Sequence, residues 1–243
     1  LDDGELIYGY YRKAGQSNKS LLLSSYLCHS QLANHELGGP YLLSLLVELI
    51  DELDDPIYSY DCFLGPENIG AAAILNDHGE ELIDNTQAGF VMNCLGHGKD
   101  WFLKMPRNEC DLPLILAKLA VPKASNLKTL KFFPDGSDER QYCSPGFDLP
   151  IAVLRREVYG EFTEYHTSLD DLSFIDYQCL QSSFETYLNL VFLMELNFCP
   201  AAKVQKGTPM LNKYGDIYPK TMTFRSTDKG TFINTMLILL NQC

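Results

Sequence analysis

The chain has 243 residues, 46% of them apolar and 21% charged, with 17 Gly and 12 Pro, a composition that excludes disorder, collagen and low-complexity assemblies. Lys and Arg number 19 against 32 Asp and Glu, and the resulting charge of −13 repels phosphate backbones and anionic headgroups, so neither nucleic acid nor a membrane surface is an expected partner. The longest apolar run, near Leu188 to Met194, is broken by Asn189 and falls well short of the ~20 residues of a bilayer span.

Apolar runs bounded by turns alternate with longer helical patterns, which predicts a mostly parallel sheet covered on both faces by helices, a three-layer α/β/α arrangement. Leu6 to Tyr11 reads as an edge strand and Leu21 to Cys28 as a buried one. Gly39-Pro40 opens an amphipathic helix over Tyr41 to Leu53. Ile57 to Leu64 is the next strand, and Pro66-Glu67 opens a short helix through Ala71 to Leu75. Gly89 to Leu95 is strand-like, Trp101 to Lys104 reads as a short hairpin partner, and Leu112 to Leu119 is helical. Leu127 to Phe133 and Pro150 to Leu154 supply two further strands, and Phe174 to Phe198 a long amphipathic helix. Beyond Cys199-Pro200 the chain is polar and punctuated by Gly and Pro until the apolar segment Phe232 to Leu240. The pattern divides the chain into a main domain, 1–200, and a C-terminal segment, 201–243.

Eight cysteines are spread without any CxxC pair, which suits reduced core thiols in the cytoplasm better than a disulfide framework or a structural zinc knot. The chain starts Leu-Asp-Asp and shows no leader pattern.

In open parallel sheets, ligands bind beyond the carboxyl ends of the strands. The polar residues at those places are His29 and His35, then Glu67, Asn93, Asp138 with Glu139, and Glu164 with His166. Each has an ordinary structural role available to it. Glu67 can complement a helix N-terminus, Asp138 can cap a turn, and Asp170 and Asp171 can cap the long helix. His78 and His97, in Asp/Gly-rich turns, read as solvent-facing. The placement of several potential metal ligands and acid/base groups at one sheet edge favours a site.

Four phrases, CHSQLANHELGGP (28–40), PENIG (66–70), GSDERQYCSPGFDLP (136–150) and YGEFTEYHTSLDDL (159–172), resemble aminopeptidase-like bacterial proteins described as polysaccharide-biosynthesis proteins, relatives of the zinc aminopeptidases and glutaminyl cyclases. The resemblance spans about 5 to 220. It implies a first His ligand at His29, a last one at His166, and an acid near the site at Asp138. Glu67 is the one carboxylate left at a Glu-Glu position that supplies base and ligand in zinc aminopeptidases. Two departures matter: the bridging Asp falls at His35 and a later Asp ligand at Asn93. An imidazole cannot bridge two ions as a carboxylate does, and a neutral amide is a poor zinc ligand, so a two-zinc centre is not expected.

One zinc held by His29, His35 and His166, or by two of these with Glu67, leaves an open position for hydrolysis of a peptide or related amide bond, with Glu67 or Glu139 moving the proton. The alternative is a catalytically impaired binding module of surface-polysaccharide assembly, and a third reading is a cyclising enzyme similar to glutaminyl cyclase. The resemblance further implies a longer chain, with 201–243 as a C-terminal linker and the start of a winged-helix-like segment. A fragment lacking peripheral strands would expose sheet edges, through which association is expected.

Overall fold

The computed structural model describes residues 4–29, 31–197 and 213. The chain divides into two units, Leu1–Leu196 and Asn197–Cys243, and the fold described here is that of the first. The apolar segment 232–240 and the winged-helix-like segment expected beyond 200 lie outside the described residues.

Seven strands form one mixed sheet in the order β1-β3-β2-β4-β7-β5-β6. They are β1 (Gly9–Lys13), β2 (Ser20–Tyr26), β3 (Ser59–Gly65), β4 (Thr86–Val91), β5 (Trp101–Lys104), β6 (Leu127–Leu130) and β7 (Ile151–Arg155). The central pairs β3–β2, β2–β4 and β4–β7 are parallel, as is the peripheral pair β5–β6, whereas β1 and β5 run antiparallel to β3 and β7. The expected edge strand is found as β1, although it begins at Gly9 and leaves Leu6 exposed. The expected hairpin partner at Trp101 is instead a strand inside the sheet, held between β7 and β6.

Helices α1 (Gly38–Asp51), α3 (Asp111–Ala120) and α5 (Tyr177–Glu195) cover one face, whose core includes Leu21, Leu23, Leu46, Phe90, Trp101, Leu154 and Tyr187. Helix α2 (Ile69–Asn85) and the single turn α4 (Glu139–Tyr142) cover the other, over Leu22, Phe63, Ile74, Leu82, Val91, Ile151 and Val153. Alternate residues of β2 thus enter opposite cores, which is why Ser20–Tyr26 is buried throughout, its three serines included. Gly39 lets α1 lie close to the strands: a Cβ there would sit 2.2 Å from the Met92 carbonyl oxygen and 2.5 Å from Ser25 Oγ.

Two expectations are corrected. Helix α2 runs to Asn85 and carries His78, which packs against the Tyr10 ring at 4.6 Å between centroids instead of lying in a turn. Asp176 caps α5, accepting from the amides of Gln178 and Cys179, while Asp171 binds Ser173 and Asp170 is drawn into the site. His97 is partly exposed, but it stacks on Phe174 at 4.2 Å and pairs with Glu157 at 2.8 Å.

Candidate metal and catalytic site

Because β2, β3, β4 and β7 run the same way, their carboxyl ends share one edge of the sheet. His29 follows β2, Glu67 follows β3, Asn93 follows β4, and Arg155 closes β7. Between His29 and α1 the backbone makes a π-helical turn, Ala33–Leu37, whose Asn34, His35 and Glu36 are all buried. His166 comes from 156–176, a stretch between β7 and α5 without regular structure, and has a positive φ of 54°. The three imidazoles of His29, His35 and His166 meet: one ring nitrogen from each lies within 4.8 Å of the others. Ring centroids stand 5.0 Å apart for His29 and His166, and 4.8 Å for His35 and His166.

Each ring has a distinct setting. His29 is exposed on one side, and its Nδ1 is hydrogen-bonded to Oε1 of the fully buried Glu36, whose Oε2 accepts the amides of Cys28 and His29. This fixes the Nδ1–H tautomer and leaves Nε2 with its lone pair free. His35 is buried, with Nε2 3.2 Å from the Tyr26 hydroxyl, itself 3.3 Å from that of Tyr159. Burial, then the neighbouring His166 and His29 and the Arg155 charge, bring the His35 pKa down to about 3, so this ring is neutral at physiological pH. Its Nδ1 is buried without a hydrogen-bond partner. His166 stacks on Tyr165 at 4.2 Å. A cavity of about 350 Å³, lined by Cys28, His29, Gln31, Leu32 and His166, opens onto the cluster.

Sequence reasoning missed two supports of this cluster. Glu36, beside His35, resembles an ordinary first-turn helix acid; the π-helical turn redirects it inward. Asp170, read as a helix cap, accepts the backbone amides of Asn34 at 2.6 Å and His35 at 3.0 Å, binding the His166 segment to the π-helical turn. The only available signal was its position four residues after His166.

The carboxylates divide by setting. Glu67 is half-buried and joins neither group of clustered potential ligands, His29–His35–His166 or Cys28–His29–Glu36. Burial and then Glu36 raise its pKa, opposed by His29 and Arg140. Asp138 is fully buried; its Oδ1 accepts the Asn68 amide at 2.7 Å and its Oδ2 has no partner. Burial pushes it up to about 8, so it carries its proton at pH 7. Glu139 is committed on both oxygens, to Lys104 Nζ at 2.9 Å and the Ser137 amide at 3.1 Å. Asn93 is buried with both side-chain polar atoms unpartnered. Glu164 is in neither ligand group and accepts from its neighbour Thr163 at 2.9 Å.

A set of three imidazole donors with a pre-oriented Nε2 and an orphaned buried Nδ1 has the chemistry of a zinc or similar transition-metal site.

The family described as a domain of unknown function, DUF4910, matches residues 1–197. The chain belongs to this family. Among relatives of this DUF4910 chain is a Clostridium acetobutylicum protein named for polysaccharide biosynthesis and an aminopeptidase-like domain, 34% identical over 216 residues. The match covers 88% of this chain and 49% of that protein, so the chain spans about half the length of its curated relative. A crystal structure from the same organism, titled as a peptidase, is 32% identical with a TM-score of 0.78, covering 86% of this chain and 49% of that one.

More distant structures share the fold. A zinc aminopeptidase from Bacillus subtilis is 12% identical, with a TM-score of 0.64 over 77% of this chain and 49% of its own. A glutaminyl cyclase from an Acidobacteriales bacterium is 15% identical, with a TM-score of 0.63 over 79% and 75%. The DUF4910 chain therefore has the α/β/α sheet architecture of these peptidase-like proteins. None of its described helices is long and apolar enough to cross a membrane.

Proposed function

We propose that this chain is a single-zinc hydrolase of peptide or related amide bonds, with His29, His35 and His166 as the protein ligands. The observation that carries the reading is the meeting of three imidazoles from separate stretches of chain, one oriented by a buried carboxylate. The chemistry zinc supplies in such a site is activation of a water and polarisation of the scissile carbonyl. His29 presents Nε2 because Glu36 holds the proton on Nδ1. His35 presents Nδ1, with Nε2–H donated to the Tyr26 hydroxyl. Glu67, outside the ligand set and with a raised pKa, accepts a proton from the attacking water and returns it to the leaving amine. Asp138, protonated, offers a hydrogen-bond donor beside Glu67, and Glu139 anchors Lys104. The six described cysteines are free thiols, which supports a cytoplasmic setting.

The test is elemental analysis of the purified chain with an amidase and aminopeptidase panel. One zinc per chain, turnover abolished by chelation, and loss of zinc in His29→Ala and His35→Ala are expected. Absence of zinc from protein prepared with zinc supplied refutes the reading.

A second reading, a non-catalytic binding module of surface-polysaccharide assembly, is favoured by one observation: His35 and Asn93 stand where the resemblance implies acids. Zinc retained without turnover on any amide supports it. Activity gained on restoring Asp at both positions identifies the natural site as a blunted peptidase.

A further inference from the structure

Next to the imidazole cluster lies a second cavity of about 400 Å³, lined by Lys104, Lys131, Phe133, Asp135, Arg155, Tyr159 and Tyr165 among others. Two aromatic rings that line this cavity also contact the cluster. Tyr165 lines this cavity while stacking on His166 and standing edge-on to His35 at 5.1 Å, and Tyr159 lines it while standing edge-on to His35 at 5.6 Å.

The cations of this cavity differ in how they are neutralised. Lys104 is ion-paired to Asp135 at 2.8 Å and to Glu139 at 2.9 Å. Lys131 is exposed to water at the rim. Arg155 is only 4% exposed, and its Nε and Nη1 are buried without any hydrogen-bond partner. Among the described residues it has no ion pair. Its guanidinium lies over the Tyr159 ring, 3.8 Å from the centroid, which fixes the plane of the group and leaves its N–H edges uncommitted. A buried arginine without a counter-charge is unfavourable on its own, and a chain of net charge −13 has no general need of it there.

We propose that Arg155 is the specificity-determining residue of an acid-selective subsite: this cavity takes the carboxylate of an acidic side chain adjoining the amide held at the imidazole cluster. The inference deepens the hydrolase reading, on which its substrate class rests. One unpaired guanidinium matches one negative charge, and its planar fork matches a carboxylate. A phosphate dianion suits the cavity less, because Lys104 is already neutralised and Glu139 lies beside it. The aromatic walls and the volume fit a side chain of amino-acid size.

The test is calorimetric titration of the purified full chain with N-acetyl-L-glutamate, N-acetyl-L-glutamine and inorganic phosphate, beside turnover of glutamyl and glutaminyl amides. N-acetyl-L-glutamate is expected to bind about 100-fold more tightly than the glutamine analogue, the scale on which a buried charge contact is lost. Arg155→Gln is expected to abolish that preference and Arg155→Lys to retain part of it. The glutamate/glutamine comparison needs no variant, so it stands even where Arg155→Gln fails to fold. Equal binding of the two analogues, tighter binding of phosphate than of N-acetyl-L-glutamate, or equal turnover of the two amides overturns the subsite. Acid-selective binding without any turnover supports the subsite and removes the hydrolase, whereas turnover blind to acidity does the reverse.

Discussion

Replacing Glu36 by Gln tests whether the buried carboxylate sets the imidazole cluster. Glu36 is fully buried and acceptor-only, receiving the Cys28 amide, the His29 amide and His29 Nδ1. A carboxamide cannot serve all three. With its oxygen toward the two backbone amides, its NH2 faces His29 Nδ1, which must then give up its proton, and the imidazole shifts to the Nε2–H tautomer. With the amide reversed, the NH2 meets two backbone donors and both are left unsatisfied in the interior.

Loss of charge-assisted bonds at about 1.5–3 kcal/mol each, partly replaced by neutral ones, gives an expected destabilisation of about 2–4 kcal/mol in denaturant unfolding. Zinc affinity, measured against a competing chelator, is expected to fall about 10- to 100-fold, the range for losing a partner behind a ligating histidine. The effect should vanish in a His29→Ala background, since both changes then act on the same ligand. A folded Glu36→Gln protein whose zinc affinity stays within about twofold of wild type refutes the account. The stability arm needs no metal and fails separately if unfolding is unchanged.

Three further changes test other parts of the fold. Asp138 has a folded pKa of about 8 against roughly 3.9 unfolded, so the native state holds the extra proton and stability falls by up to about 1.4 kcal/mol per pH unit between about pH 4 and 8. Asp138→Asn removes that slope, and unfolding midpoints at pH 5 and 7 should show the variant gaining on wild type as pH rises; a parallel offset at both values contradicts the raised pKa. Lys104→Met strands the buried Glu139 carboxylate, with an expected cost of about 3–5 kcal/mol that adding Glu139→Gln largely recovers, and an additive double variant excludes the coupling. Gly39→Ala, whose Cβ would collide with the Met92 carbonyl, should cost about 1–3 kcal/mol, whereas Gly38→Ala, with no neighbour nearer than 3.6 Å, should be tolerated; equal thermal midpoints for the two would discount the close approach of α1.

The layered architecture was readable because strands buried on both faces, such as β2, and amphipathic helices, such as α1 and α5, have different periods. Helix α2 was underestimated because Asn76, Asp77, His78 and Gly79 are weak helix formers, and what sustains it is tertiary: Phe147 packs where a side chain at Gly79 would stand, 2.6 Å from an added Cβ. Within the site, His29, His35 and His166 announced themselves by type and by position at strand ends. Glu36 and Asp170 did not, since a carboxylate beside a helix start has an ordinary explanation and the π-helical turn that redirects Glu36 has no clear periodicity. Arg155 was silent for a related reason: at the end of an apolar strand, an arginine looks like a solvent-facing terminus, whereas the fold encloses it.

Asp170 has a mechanical consequence. By clasping the backbone of residues 34 and 35 from the segment that carries His166, it gears two of the three imidazoles to a common part, while the third is steered by Glu36 from inside that same turn. A nudge to either loop therefore swings all three rings in concert, so the cluster should loosen or tighten as a single jaw.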